Sequence, residues 1–353
     1  MQKSKHYLEL DGLRGVAAFA VLLFHRRTWF GGEFFLGHAY LAVDFFFILS
    51  GFVIALAYGR RLSASGSFSP YLRDRAIRLY PLMIAGAAVG LAAACLGADA
   101  ASGKSIVEIS AAAVASAVGA PAIWDRNPFW INGPIWSLFY EIAVNVLFGL
   151  IAFGLTTRRL TLLITSSAFA MILISWHFGG FVVGGHRSTM PVGIFRVIAS
   201  FFIGVALYRL HQKGILADGG RRWWIAPILL GSFIVLPKES SWSFLYDPIV
   251  VFALYPILVL AAAGSAPIMP RVAIWSGGIS FPLYVTHEPL LRILEHVLLP
   301  SGDSGPLGIK LLCVGIAVAI AWASLHFYDI PVRTMLRRRF GSKRHGDAPA
   351  QAA

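Results

Sequence analysis

Leu13-Arg14-Gly15-Val16-Ala17-Ala18-Phe19-Ala20-Val21-Leu22-Leu23-Phe24-His25-Arg26-Arg27-Thr28-Trp29-Phe30 is the first long apolar stretch of the chain, and it holds a cation near its start. Arg14 and His25 stand eleven positions apart in it. At roughly 100° per helical residue, eleven steps fall within about 20° of three full turns, so both side chains point to one face. They are separated by about 16 Å along the axis, roughly half of the ~30 Å hydrocarbon thickness of a bilayer. A cation at the centre of a membrane helix costs about 2.5–3.5 kcal/mol and normally faces a protein interior or a wet cavity. Arg14 near one surface and His25 toward the other read as two ends of a buried path.

The composition supports a membrane setting. The 353 residues are 57% hydrophobic and 13% charged, with a mean hydropathy of +0.71. A soluble globular domain carries about 25% charge. The net charge of +13 does not indicate nucleic acid, because the Lys and Arg residues lie between apolar segments. The densest run, Arg337, Arg338, Arg339, Lys343 and Arg344, adjoins the last apolar segment. A basic tail there suits anionic membrane lipid. Cys95 and Cys313 both lie in apolar segments and read as buried fillers. No CxxC or Cys/His spacing suggests a metal. Lys3 and Lys5 before an apolar stretch mimic a signal peptide, but Arg14 inside it and the lack of an A-x-A site indicate a retained signal-anchor helix.

The expected fold is all-α and polytopic, with about ten transmembrane helices. They fall near 13–30, 40–58, 79–98, 134–155, 160–178, 193–211, 223–238, 247–264, 278–299 and 308–328. The segment 105–119 reads instead as an amphipathic helix within a loop. With a cytoplasmic N-terminus, twenty of the 30 Lys and Arg residues fall on cytoplasmic segments. Arg26, Arg27, Lys104, Arg126, Arg187, Lys238 and Lys310 fall outside, and Arg14, Arg196 and Arg292 lie within helices. That bias puts both termini inside and predicts a multi-pass protein of the cytoplasmic (inner) membrane. One membrane domain is expected over residues 1–340, with a disordered basic tail at 341–353.

Several constellations carry possible chemistry. Asp44 opens the second helix at about the height of His25. It either holds the imidazole in one tautomer or is a helix-start aspartate favoured by the dipole. Ser50-Gly51 suits close helix packing. Arg73, Arg75 and Arg78 form a compact cytoplasmic cluster, either ordinary positive-inside arginines or a phosphate site. Ser137 and Glu141 share a face at the head of the fourth span, and Glu141, about two turns in, calls for a job or a partner. In the ninth span, His287 is either structural or catalytic, with Tyr284 one turn away. Glu288 and Arg292, four apart, can neutralise each other. Arg196 either binds substrate or pairs with a carboxylate. No G-x-S-x-G elbow, H-E-x-x-H, P-loop or Rossmann fingerprint is present.

Taken in order, these segments resemble the acyltransferase family 3 of integral membrane acyltransferases. The resemblance runs from about residue 7 to 340. It rests on Leu10-Asp11-Gly12-Leu13-Arg14-Gly15 with His25, on Val43-Asp44-Phe45-Phe46-Phe47-Ile48-Leu49-Ser50-Gly51-Phe52, and on Arg75-x-x-Arg78-Leu79-Tyr80-Pro81. It continues with Trp136-Ser137-Leu138-x-x-Glu141, Ser280-Phe281-Pro282-Leu283-Tyr284-Val285-Thr286-His287 and Asp329-x-Pro331. The family often has Glu where Asp329 stands, and a fuller basic run where Asp74 intervenes.

The resemblance implies transfer of an acyl group, commonly acetyl from acetyl-CoA, to a hydroxyl of a carbohydrate or lipid-linked glycan. Arg14 and the Arg73/Arg75/Arg78 cluster would hold the phosphates of CoA. His25 would act as general base, with Asp44 or Glu141 orienting it; Glu141 is alternatively an acceptor ligand. Ser137 or Tyr284 would face the oxyanion. A covalent acyl-histidine is the competing route. A small acceptor such as a macrolide is the alternative within this class, and a transporter or lipid flippase is the alternative outside it. No metal and no nucleic-acid partner is expected, and the oligomeric state is left open.

Overall fold

The computed structural model describes residues 7–65, 68–97, 103–215, 220–238, 240–299 and 305–341. The basic tail expected beyond 341 lies outside the described residues. Among the described residues all regular structure is helical.

The helices are α1 (Leu8–Phe24), α2 (Ala42–Ser65), α3 (Phe68–Cys95), α4 (Ile106–Ala117), α5 (Ile135–Ile151), α6 (Thr157–Phe178), α7 (Met190–Gln212) and α8 (Ile225–Ile234). They are followed by α9 (Ser243–Ala263), α10 (Pro270–Leu298) and α11 (Leu307–Phe340). A wide π-type turn interrupts α9 at Val250–Leu254 and α11 at Ser324–Asp329. Each of the ten expected spans has a helix. Seven of them, α2, α3, α5, α6, α7, α9 and α11, are long and apolar enough to cross a membrane. α1 has 17 residues and α8 has 10, while α10 carries Arg271, Glu288, Arg292 and Glu295.

The first helix begins and ends about five residues earlier than its hydropathy suggests. Glu9 and Asp11 occupy its first turn, where carboxylates interact favourably with the helix dipole. Beyond His25 the chain folds into three short 3-10 turns, at Arg27–Trp29, Gly32–Phe34 and Ala39–Leu41. Local contacts favour that ending: Arg27 pairs with Glu33 at 3.1 Å, and Arg26 stacks on Trp29 at 5.7 Å. Cys313 is buried, but Cys95 is exposed at the end of α3, so only one of the two is a core filler.

The chain divides into two compact units. The first comprises residues 1–60, 155–183 and 194–280, and the second 61–154, 184–193 and 281–353. Within the first, α2 and α7 meet backbone to backbone at two glycines. A Cβ on Gly51 would lie 1.9 Å from the Phe201 carbonyl oxygen, and one on Gly204 would lie 2.0 Å from that of Ile48. Small residues are what allow such an approach between membrane helices. Within the second unit, α4 has a full capping box. Glu108 N–H donates to Ser105 Oγ at 3.3 Å, and Ser105 N–H donates to Glu108 Oε2 at 2.8 Å. Its Ile109 and Ala112 pack with Trp130 and Ile131 in one apolar cluster. Phe169 and Trp176 on α6 and Phe327 on α11 are exposed, as side chains facing lipid are.

Candidate active site

In the first unit, Arg14 lies in the second turn of α1 and His25 caps its C-terminal end. The Arg14 guanidinium donates from Nε to Ser280 Oγ at 2.9 Å and from Nη2 to the Gly277 carbonyl at 2.8 Å. It also pairs with Asp11 at 2.9 Å. Glycine makes that approach possible: a Cβ on Gly277 would lie 2.7 Å from the backbone oxygen of Asp11. Among the described residues Nη1 of Arg14 has no protein partner.

His25 is half-buried. Its backbone N–H continues the helix by donating to the Val21 carbonyl at 3.1 Å, and its Nδ1 lies 2.9 Å from the same oxygen. A carbonyl can only accept, so Nδ1 carries the proton. Nε2 is then the basic nitrogen of the neutral ring.

Asp44 does not hold His25. Both of its oxygens are taken by Arg196, through Nε at 3.0 and 3.1 Å and through Nη2 at 2.6 Å, and Ser200 Oγ donates to Oδ1 at 3.2 Å. Arg196 is 2% exposed and Asp44 0%. The remaining donors of Arg196 reach the carbonyls of Phe181, Val183 and Tyr40. A buried charge is tolerated only with this degree of pairing, and that resolves Arg196 as a carboxylate partner.

The sequence reading missed the polar group next to this pair. Asp247 Oδ2 accepts from Tyr40 Oη at 2.8 Å and from the Phe181 N–H at 2.7 Å. His38 Nδ1 donates to the Leu236 carbonyl at 3.1 Å, and its Nε2 accepts from Ser243 Oγ at 3.0 Å. Burial pushes the His38 pKa down, against the Leu236 bond that raises it. A polar triad in apolar sequence (Asp247, Tyr246, Ser243) was the available signal.

In the second unit, Glu141 is 7% exposed. Its Oε1 accepts from Arg75 Nη2 at 3.3 Å and from Asn145 Nδ2 at 3.0 Å. Asn145 Oδ1 in turn accepts from Tyr71 Oη at 2.8 Å. Two expected site residues, Glu141 and Arg75, are thus brought together. Asn145 was legible only as an amide one turn beyond Glu141 on an apolar helix.

Ser137 and Tyr284 also meet, with their hydroxyl oxygens 2.6 Å apart. Ser137 donates its one proton to the Pro134 carbonyl at 3.0 Å, so Tyr284 is the donor in this pair. The loop before α5 is fixed to α10 by three further contacts. Asn132 Nδ2 donates to the Val285 carbonyl at 2.8 Å, the Gly133 N–H donates to Glu288 at 3.4 Å, and Arg292 donates to the carbonyls of Trp130 and Ile131. Arg292 pairs with Glu288 at 3.1 Å, as their spacing suggests. His287 is fully buried and donates from Nδ1 to the Leu283 carbonyl at 2.9 Å, the same arrangement as at His25. Arg78 lies over the Phe281 ring at 4.8 Å. The Nε atoms of Arg73 and Arg75 are buried without a hydrogen-bond partner. Among the described residues no three His, Cys, Asp or Glu side chains gather as a metal site.

Buried, paired carboxylates and two histidines of defined tautomer suit proton transfer, and clustered guanidiniums suit an anion. Comparison with known proteins decides among the chemistries these groups allow. The acyltransferase-domain family matches residues 7–326.

The chain belongs to the acyltransferase family.

It is an integral membrane enzyme of the O-acyltransferase class. It is 33% identical over 190 residues to Protein 2 in the picA locus of Rhizobium radiobacter, covering 49% of this chain and 97% of that protein. It is 22% identical over 374 residues to provisionally named O-acetyltransferases of Staphylococcus aureus strains COL and MSSA476. That match covers 94% of the acyltransferase chain but spans only 58% of the length of those relatives. No solved structure matches it.

Proposed function

We propose that this enzyme moves an acyl group, acetyl in the simplest case, from cytoplasmic acyl-CoA to a hydroxyl of a carbohydrate, a cell-surface or exported glycan, at the cytoplasmic membrane. The observation that carries the reading is the tautomer of His25. The Val21 carbonyl holds the Nδ1 proton, which leaves Nε2 as a base at the end of α1. The provisional O-acetyltransferase names of the staphylococcal relatives support oxygen as the acceptor atom and acetyl as the group.

In this mechanism Nε2 of His25 takes the proton of the acceptor hydroxyl as its oxygen attacks the thioester carbonyl. The tetrahedral intermediate then collapses and the carbon–sulfur bond breaks. The thiolate of CoA leaves with the proton that His25 received. An uncharged sugar hydroxyl is a poor nucleophile, so this proton transfer is the step the protein must supply. Tyr284 is assigned as a hydrogen-bond donor to the oxyanion, and Glu141 as a ligand for acceptor hydroxyls. Arg14, whose Nη1 has no protein partner among the described residues, and Arg73, Arg75 and Arg78 are assigned to phosphates of the donor.

The test is release of CoA thiol by detergent-purified enzyme given acetyl-CoA, with and without a glycan acceptor. Release that depends on the acceptor, with an alkali-labile acetyl ester on the glycan, supports direct transfer. A stoichiometric burst without acceptor indicates the acyl-histidine route. No release with acetyl, succinyl or longer acyl-CoA rejects the donor assignment.

A further inference from the structure

The loop before α5 and the middle of α10 complete each other's hydrogen bonds, and all the residues concerned lie in the second unit. Pro289 stands inside α10. Proline has no N–H, so the carbonyl four residues earlier, that of Val285, loses its helical donor. Asn132 Nδ2 donates to that carbonyl at 2.8 Å. The Asn132 side chain is 0% exposed. Glycine lets α3 close on the same point: a Cβ on Gly86 would lie 2.8 Å from the Val285 oxygen and 2.9 Å from Asn132 Nδ2.

The loop has the converse need. α5 begins at Ile135, so the carbonyls of Trp130 and Ile131 lie ahead of its ladder. Both residues are buried, and buried backbone groups need partners. Arg292 supplies them, with Nη1 donating to Trp130 at 3.1 Å and Nη2 donating to Ile131. The Gly133 N–H donates to Glu288 Oε2 at 3.4 Å, and Glu288 Oε1 lies 3.1 Å from Arg292 Nε.

The contacts are in register, with the two segments running in opposite directions. Trp130 and Ile131 meet Arg292, Gly133 meets Glu288, and Asn132 meets Val285. The next rung is Ser137 against Tyr284, at 2.6 Å. The segment that carries Tyr284 thus has a proline gap in its own ladder, and the loop fills it. A donor to an oxyanion is effective only when it is held in place before the reaction.

We propose that Asn132 and Arg292 are positioning residues for the acyl transfer: they lock the proline-interrupted part of α10 to the head of α5 and so aim the Tyr284 hydroxyl. The inference rests on the assignment of Tyr284 to the oxyanion above.

The experiment measures thiol release from acetyl-CoA, with a mixed oligosaccharide fraction as acceptor probe, by full-length detergent-purified enzyme. Asn132→Ala and Arg292→Lys are each made in the wild-type and in the Tyr284→Phe background. In the wild-type background each should lower kcat by about tenfold, inside the ~100-fold that a 1 Å misplacement can cost, with KM for acetyl-CoA unchanged. In the Tyr284→Phe background the same changes should lower kcat by less than about twofold, since the hydroxyl they aim is gone. A third variant, Asn132→Ala/Pro289→Ala, returns an N–H to the Val285 carbonyl and so restores its pairing without restoring the link to the loop. Its thermal stability should recover while its kcat stays low. Equal kcat losses in both backgrounds would overturn the proposal, as would wild-type kcat in the single variants or recovery of kcat together with stability in the third. Wild-type kcat in Tyr284→Phe itself, or no release from acetyl, succinyl or longer acyl-CoA, would instead remove the reading of Tyr284 and the positioning role with it.

Discussion

Arg196 reaches Asp44 across 152 residues of sequence and clamps it with both Nε and Nη2, the shortest contact being 2.6 Å. The pair sits among the most buried charges of the described residues, and its neighbours include backbone carbonyls and the Ser200 hydroxyl.

Breaking this pair from one side leaves a buried charge alone. Arg196→Met is therefore expected to destabilise the protein by about 3–5 kcal/mol, and the double variant Asp44→Asn/Arg196→Met by less. Thermal unfolding in detergent is the measurement. A loss in the double variant equal to the sum of the losses in Arg196→Met and Asp44→Asn would mean the two charges do not depend on each other.

Tyr284 donates to Ser137, which itself donates to Pro134. Tyr284→Phe removes one hydrogen bond between hydroxyls, a change of about 1 kcal/mol in stability. If its proton turns to the oxyanion during transfer, kcat should fall by about 100-fold while CoA affinity stays as it was. A stability loss with unchanged kcat would assign Tyr284 to structure alone.

Lys104 and Asp125 form a close ion pair in the loop region around α4. Burial alone would raise the Asp125 carboxyl. The Lys104 hydrogen bond, the Asn127 N–H and the Lys104 charge together outweigh it and hold the carboxyl below the ordinary aspartate range. A carboxyl lowered on folding contributes stability above its unfolded value, and that contribution is lost as pH falls through the folded value. The stability gap between wild type and Lys104→Met should thus be open at neutral pH and close on acidification through the aspartate range, about pH 4 and below. A gap that widens with acid would reverse the sign.

Helix placement was largely legible because hydropathy alone sets it, and the Gly51 approach and the Glu288–Arg292 pair follow from local spacing. The end of α1 was not, since three short turns held by Arg26, Arg27 and Glu33 replace helix there. Pairing at a distance was the larger gap. Asp44 had two readings because nothing near it in sequence identifies Arg196 as its partner. The Asp329 carboxyl drew notice as part of a motif, but its position between Arg78 and Arg333 requires α3 and α11 to be packed. His25 itself was found from spacing, yet the Val21 carbonyl against its Nδ1 is a backbone group that no side-chain pattern announces.

The most direct measurement is acyl transfer from acetyl-CoA by purified His25→Ala beside wild type, with CoA binding titrated in the same samples. The assignment of His25 as base expects transfer to fall by at least about 100-fold while CoA binds with unchanged affinity. Turnover near the wild-type rate in a variant that still binds CoA would contradict it.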